Sequence, residues 1–301
     1  MNCLEVEEVI KSYEDVDAVK GLSFDVKDGE LFGILGPNGA GKTTTIRMLL
    51  DIIKPDKGRI RILGRDFCED LKRDVGYLPE ERGLYEGLTV MQNLLYLASL
   101  KGMKERDARA NALNFLKRVE LLEFADKRVG MLSKGMKQLV QLIATLVHEP
   151  KLLILDEPFS GLDPANRELV KKIILLEKEK KRTIILSTHM MNEVEELCDR
   201  VLMVNLGRRV LYGSLDDIKD RYAQNCVFVE FTGAMPKLEG VEKANIKKNN
   251  AELYLRVDTS PQMLLKEMVQ KNVNIRRFDV REMSLNQIFI KLVEAEKWIK
   301  L

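Results

Sequence analysis

The sequence is poor in several features that would each have pointed to a particular class of protein. Its four cysteines, Cys3, Cys68, Cys198 and Cys226, are scattered, with no C-x-x-C pair. That spacing argues against a disulfide framework and against a structural zinc site, and it fits a reducing cytosol. Charge of one sign is also missing: 49 Lys and Arg face 47 Asp and Glu. There is no basic surplus to suggest nucleic acid and no acidic surplus to suggest a solvating tail. The most apolar stretch, Leu139 to Val147, contains Gln141 and stops at His148-Glu149-Pro150. It falls well short of the roughly eighteen residues a membrane span needs. No basic-then-apolar segment opens the chain, so the reading predicts no signal peptide and a chain that does not itself cross a membrane. What is present, 45% hydrophobic and 32% charged residues in a length of 301, describes a globular protein with one large domain and a small one.

The most informative stretch is Gly36-Pro37-Asn38-Gly39-Ala40-Gly41-Lys42-Thr43-Thr44, which matches G-x-x-x-x-G-K-[ST]. Glu30 to Leu35 before it reads as a buried strand, and Thr45 to Leu50 after it as a helix start. Strand, glycine loop and helix are the context that gives the pattern its physical meaning. The glycines let backbone N–H groups point at phosphate oxygens, and the helix N-terminus adds partial positive charge. Lys42 is predicted to reach the β- and γ-phosphates, and the Thr43 hydroxyl to ligate Mg²⁺.

Short strands are predicted at residues 3–11 and 21–27, with Tyr13 on a loop between them. An exposed aromatic there could stack on a purine or simply pack, and its chemistry alone does not choose. Further strands are expected at 58–63 and 75–78, the latter followed by the charged run Glu80-Glu81-Arg82. Residues 89–129 change character to two amphipathic helices, one capped by Thr89 and one from about Glu105 to Arg118. Leu132-Ser133-Lys134-Gly135-Met136 opens another helix, with Ser133 as its cap.

Lys151 to Pro158 is an apolar run ending in Asp156 and Glu157, the pattern of a parallel strand buried on both faces. Acidic residues at such a strand end sit at the ligand edge of an open α/β sheet. Asp156 is expected to complete the Mg²⁺ shell and Glu157 to deprotonate an attacking water. Two adjacent carboxylates beside a triphosphate themselves imply a cation. Ser160 to Pro164 is a turn into a helix, and Arg182 to Thr188 is the next buried strand, ending at His189. The chain has two histidines. His148 reads as surface, whereas His189 emerges at the same sheet edge as Glu157 and could donate to the γ-phosphate. Taken alone, a histidine there is more often structural.

Assembled in order over about residues 1–215, these elements resemble the ATP-binding subunit of an ABC transporter. The resemblance rests on the phosphate loop, Asp156-Glu157, the signature-like Leu132 to Met136, the turn reaching Asp163, and His189. It implies an α/β fold: a phosphate-loop NTPase core with an antiparallel β subdomain and a helical subdomain at about 89–130. It also implies that Tyr13 stacks on adenine and that Ser133, Lys134, Gly135 and Met136 contact the ATP of a partner subunit. Asp163 would lie at the dimer turn. ATP and Mg²⁺ are the implied cofactors. The implied partners are a second copy of the chain and a separate multi-span permease, with no nucleic acid. Its place would be cytoplasmic, peripheral on the inner face of the membrane. Two residues depart from the family pattern. Lys134 and Met136 replace Gly and Gln of the usual L-S-G-G-Q signature, in a form similar to that of exporting relatives. Glu80 stands where a glutamine is usual. A carboxylate there can ligate Mg²⁺ but adds negative charge beside the γ-phosphate, so Glu80 is read first as a coupling-loop residue.

Residues 216–301 mix predicted strands at 227–231, 252–257 and 273–280 with helices after Ser260-Pro261 and after the capping box Ser284 to Gln287. The first two strands are expected to join across Asn249-Asn250. This reads as a small α+β domain, similar to the C-terminal accessory domain of exporter-type subunits, with a dimer-stabilising or regulatory role. The competing class, a soluble ABC-type ATPase of DNA repair, translation or chromosome structure, calls for a coiled-coil insert, a second ATPase domain or a cysteine-rich cluster. None of these is in the sequence. A third class, a nucleotide-gated module that does not hydrolyse ATP, is at odds with Glu157 and His189.

Overall fold

The computed structural model describes residues 2–14, 16–81, 83–222, 226–256, 258–281 and 284–298. Arg82 of the charged run, Val257 of an expected strand, and the side chain of Val293 in the last helix lie outside the described residues. The chain divides into two compact units, residues 1–215 and 216–301.

The first unit begins with a long hairpin, β1 (Asn2–Tyr13) and β2 (Val16–Lys27), then β3 (Leu31–Leu35), α1 (Lys42–Leu49), β4 (Lys57–Ile62), β5 (Arg65–Asp66), α2 (Leu71–Asp74) and β6 (Val75–Leu78). The helical segment follows as α3 (Val90–Leu100), α4 (Glu105–Arg118) and α5 (Lys134–Leu146). The chain then returns through β7 (Leu152–Asp156), α6 (Pro164–Glu179), β8 (Thr183–Thr188), α7 (Met191–Leu197), β9 (Arg200–Asn205) and β10 (Arg208–Ser214). The central sheet has the order β10-β9-β3-β8-β7-β6, parallel except for its β10 edge. Every residue of β3, β7 and β8 is buried, as expected of parallel strands covered on both faces. A second, antiparallel sheet, β2-β1-β4-β5, shares its core with the central sheet. Phe24 stacks on Phe32 there with ring centroids 5.7 Å apart. Strand ends of a parallel sheet form the ligand edge, and the loop after β3, the Glu157 corner after β7 and His189 after β8 all leave that edge.

Helix starts follow the capping chemistry of the sequence. Thr89 and Gln92 form a full capping box on α3, Ser133 accepts from the Met136 N–H on α5, and Asp163 caps α6 ahead of Pro164.

The second unit contains α8 (Leu215–Tyr222), which starts at the boundary, then β11 (Cys226–Thr232), β12 (Val241–Lys247), β13 (Asn250–Leu255), α9 (Pro261–Gln270), β14 (Asn274–Arg281) and α10 (Leu285–Trp298). Its antiparallel sheet runs β12-β13-β11-β14. Val227, Val229, Phe231 and Leu253 pack on Leu264 and Met268 of α9.

Three expectations are corrected. Tyr13 is the last residue of β1, paired with Val16, and not a loop residue. The turn before Asn250 joins β13 to β12, a strand the sequence pattern did not reveal, while β11 meets β13 only as a lateral neighbour. His148 is half-buried and not a surface residue, with Nε2 3.3 Å from the Val75 carbonyl oxygen. Burial, helped by nearby Lys101, pushes its pKa down to about 4.

Candidate active site

The loop between β3 and α1 curls over a cavity of about 540 Å³ lined by Asn38, Gly39, Ala40, Gly41, Lys42, Thr43 and Thr44. Its shape depends on glycine at position 41, where φ is +104° and a Cβ would fall 2.5 Å from the Ala18 carbonyl oxygen. The loop is thereby seated against β2. Lys42 is buried, and its Nζ donates to the carbonyl oxygens of Gly36 at 2.8 Å and Pro37 at 3.3 Å. The same ammonium lies 3.4 Å from Glu157 Oε1.

Asp156 and Glu157 end β7 beside this loop, both buried. Asp156 accepts from the hydroxyl of Ser187 and has the Thr43 hydroxyl nearby, and its other oxygen, Oδ2, is buried with no hydrogen-bond partner. Burial raises the Asp156 pKa against the lowering effect of the two hydroxyls, and the neighbouring Glu157 adds to the rise. A carboxylate with an orphaned buried oxygen next to a threonine hydroxyl is the donor chemistry that a hard divalent cation takes. Among the described residues no three His, Cys, Asp or Glu gather to hold a metal by themselves. A Mg²⁺ here would therefore draw its remaining ligands from phosphate and water.

At Glu157 the backbone turns sharply, with φ +49°, a conformation disfavoured for a residue bearing a Cβ. Its N–H donates to the Ser187 carbonyl at 3.0 Å. Its carboxylate has Lys42 on one side and His189 on the other, with Nδ1 3.0 Å from both oxygens. The Thr188 hydroxyl adds a contact at 3.3 Å. The His189 side chain is 49% exposed and, like Asp156, is not among the residues that line the cavity. Glu80 lines the cavity, so the position adds a carboxylate to its wall.

The signature residues lie elsewhere. Ser133, Lys134, Gly135 and Met136 do not line the cavity. They cluster with the turn at Asp163: a Cβ on Gly135 would fall 2.7 Å from Asn166 Nδ2, and Asn166 is hydrogen-bonded to Asp163 at 2.9 and 2.6 Å. Ser133 and Lys134 are exposed. Tyr13 is 44% exposed with Lys11 over its ring, and it also lies outside the cavity lining. The wall on that side is Val16, Asp17, Ala18 and Lys20, completed by Leu206 and Gly207 of the β9–β10 turn. Sequence reading missed these six residues. The turn is pinned in place, because Gly207 N–H donates to the Ala40 carbonyl and Lys20 N–H to the Gly207 carbonyl.

A parallel sheet with a phosphate loop and a paired-carboxylate strand end at one edge defines a phosphate-loop NTPase. Residues 19–160 match the ABC transporter family, and residues 213–293 match the C-terminal domain of DrrA1-3-like ATP-binding proteins. An uncharacterized ABC transporter ATP-binding protein of Bacillus subtilis, YhaQ, is 39% identical over 97% of this chain and 99% of its own length. Nod factor export ATP-binding protein I of Burkholderia thailandensis is 35% identical over 97% of each chain. A solved ATP-binding subunit of an ABC transporter superposes with a TM-score of 0.68 at 33% identity, covering 73% of this chain and 93% of that one. The ATP-binding cassette MJ0796, solved as a dimer in a post-hydrolysis state bound to ADP and Pi, gives a TM-score of 0.64 at 26% identity, covering 70% and 98%. The chain belongs to the family of ABC transporter ATP-binding proteins, a family of ATPases, and carries a DrrA-like C-terminal domain.

Proposed function

We propose that this chain hydrolyses ATP to power export by a separate multi-span permease, working as a homodimer that closes on ATP. The observation that carries the reading is the Glu157 carboxylate, held between Lys42 at 3.4 Å and His189 at 3.0 Å at the wall of the phosphate-loop cavity. The loop N–H groups and Lys42 bind the phosphates. Water attacks the γ-phosphorus in line, Glu157 accepts its proton as the new O–P bond forms, and ADP leaves with the electrons of the broken bond. His189 orients Glu157 and stabilises charge on the γ-phosphate. When bound, Mg²⁺ would neutralise phosphate charge, held by Thr43 and Asp156 with Glu80 on the adjoining wall. Tyr13, paired with Val16 of the cavity wall, supplies the adenine platform.

The place of Ser133, Lys134, Gly135 and Met136 beside the Asp163 turn, outside the chain's own cavity, supports a role toward a nucleotide held by a second copy. The dimeric state of the MJ0796 cassette supports this arrangement. Asp163, beside the signature, faces the same partner. Export is supported by a relative named for Nod factor export that aligns over 97% of each chain. The helical segment at 89–130 meets the permease, which places the chain peripherally on the cytoplasmic face of the membrane. Among the described residues no helix is long and apolar enough to cross a membrane. Affinity purification of the full chain from its native membrane tests the reading. Recovery with a multi-span membrane protein is expected. Recovery on ribosomes or DNA instead would favour the soluble ABC-type ATPase.

A further inference from the structure

Helices α6 and α7 leave the ends of adjacent parallel strands, α6 after β7 and Glu157, α7 after β8 and His189. Each carries a charged residue four positions beyond a site residue: Arg167 after Asp163, and Glu193 after His189. Glu193 is buried at 4% exposure. Its Oε1 lies 3.5 Å from Arg167 Nη1 and its Oε2 2.6 Å from Lys171 Nζ. Lys171 also meets Glu196 at 2.5 Å and Glu168 at 3.2 Å. Burial would lower the Lys171 ammonium, but its hydrogen bonds to Glu193, Glu196 and Glu168 outweigh this and raise it. Apolar side chains would join two helices without the desolvation cost of buried ions, so stability alone does not account for the cluster. The bridge joins the two helices at one register, with Glu193 opposite Arg167 and Lys171.

That register matters for His189. Its side chain is half exposed, contacts Glu157, and is borne on a short backbone segment. In that segment Met190 N–H donates to the Thr188 hydroxyl at 3.0 Å, and Glu193 N–H donates to the Met190 carbonyl at 3.2 Å. Among the described residues, Glu193 is the first beyond His189 whose side chain makes an ion pair to another element. We infer that Glu193 is a positioning residue for hydrolysis: its bridge to Arg167 and Lys171 sets the His189 ring against Glu157 and links that ring to the Asp163 turn. The inference rests on the reading of Glu157 and His189 given above.

The test is a double-mutant cycle on the full chain, reading kcat, KM and nucleotide affinity. Glu193→Gln lowers kcat roughly 10- to 100-fold through misplacement of the ring, with affinity unchanged. In a His189→Ala background the same substitution costs less than about twofold, because the group it positions is already gone. Arg167→Met, made from the other helix at a part-exposed side chain, repeats the pattern if Glu193→Gln does not accumulate as folded protein. Unchanged kcat for both variants, or an equal loss in the presence and absence of His189, overturns the inference and leaves a merely structural bridge. Wild-type turnover in Glu157→Gln and His189→Ala overturns the reading of the site, and this inference with it.

Discussion

His189 Nδ1 lies 3.0 Å from both carboxylate oxygens of Glu157, across the ends of two neighbouring strands. A symmetric contact of this kind fixes the orientation of the carboxylate as well as its place, and orientation is what a general base needs. Replacing Glu157 by Gln keeps the shape and removes the proton acceptor. Turnover should fall by about two to four orders of magnitude with nucleotide affinity retained. Steady-state hydrolysis together with equilibrium binding of a labelled nucleotide checks this. Near-normal turnover would take Glu157 out of the base role.

Lys42 answers a different question. Its ammonium is buried in the loop and directed at the Gly36 and Pro37 carbonyls, where it is the loop's one strong charge for a phosphate. Lys42→Ala should weaken nucleotide binding by roughly 10- to 100-fold, the value of a charge-assisted contact. Unchanged affinity would contradict the assignment of the loop.

The proposed Mg²⁺ site assigns the cation to Asp156 and Thr43. Chelation of divalent ions should abolish hydrolysis, and Asp156→Asn should raise the Mg²⁺ concentration needed for half-maximal turnover by about tenfold or more. A magnesium titration of both proteins decides the point. Superimposable curves would remove Asp156 from the metal site.

His148 makes stability depend on pH. Its folded pKa is about 4 against an ordinary 6.5, so between those values the unfolded chain binds a proton that the folded chain does not. Stability is therefore complete above pH 6.5 and is lost as the pH falls toward 4. Between pH 7 and pH 5 the loss from this one group is about 2 kcal/mol. Denaturant midpoints at the two pH values should draw together in His148→Asn. An unaltered gap would place the acid sensitivity elsewhere.

The parts of the site that could be read from sequence are those whose chemistry is local. The phosphate loop needs its glycines, lysine and threonine in one run, and Asp156-Glu157 need only end an apolar strand. Ser133 was legible as a helix cap for the same reason, whereas Asp163 read only as part of a turn and proves to cap α6. The rest depends on segments far apart in the chain. Val16, Asp17 and Lys20 share a wall with Leu206 only because the β9–β10 turn is pinned to the loop and to β2, and no local pattern encodes that meeting. His148 has a surface-like neighbourhood in Glu149 and Pro150, yet it tucks against the Val75 carbonyl at the end of a distant strand. Strand β12 escaped notice because it is an edge strand, paired only with β13 and exposed along nearly its whole length, which leaves no alternation of polarity.

The central claim is that the nucleotide site is shared, with one chain giving the loop and Glu157 and its partner giving Ser133. Lys42→Ala and Ser133→Ala should each be nearly inactive alone. Mixed before ATP is added, they form heterodimers in which one site carries both lesions and the other carries none. Measured ATP turnover of the mixture should then rise clearly above the sum of the two separate variants, toward about a quarter of wild type if subunits exchange freely. Turnover no greater than that sum, in a mixture shown to contain heterodimers, would contradict a shared site.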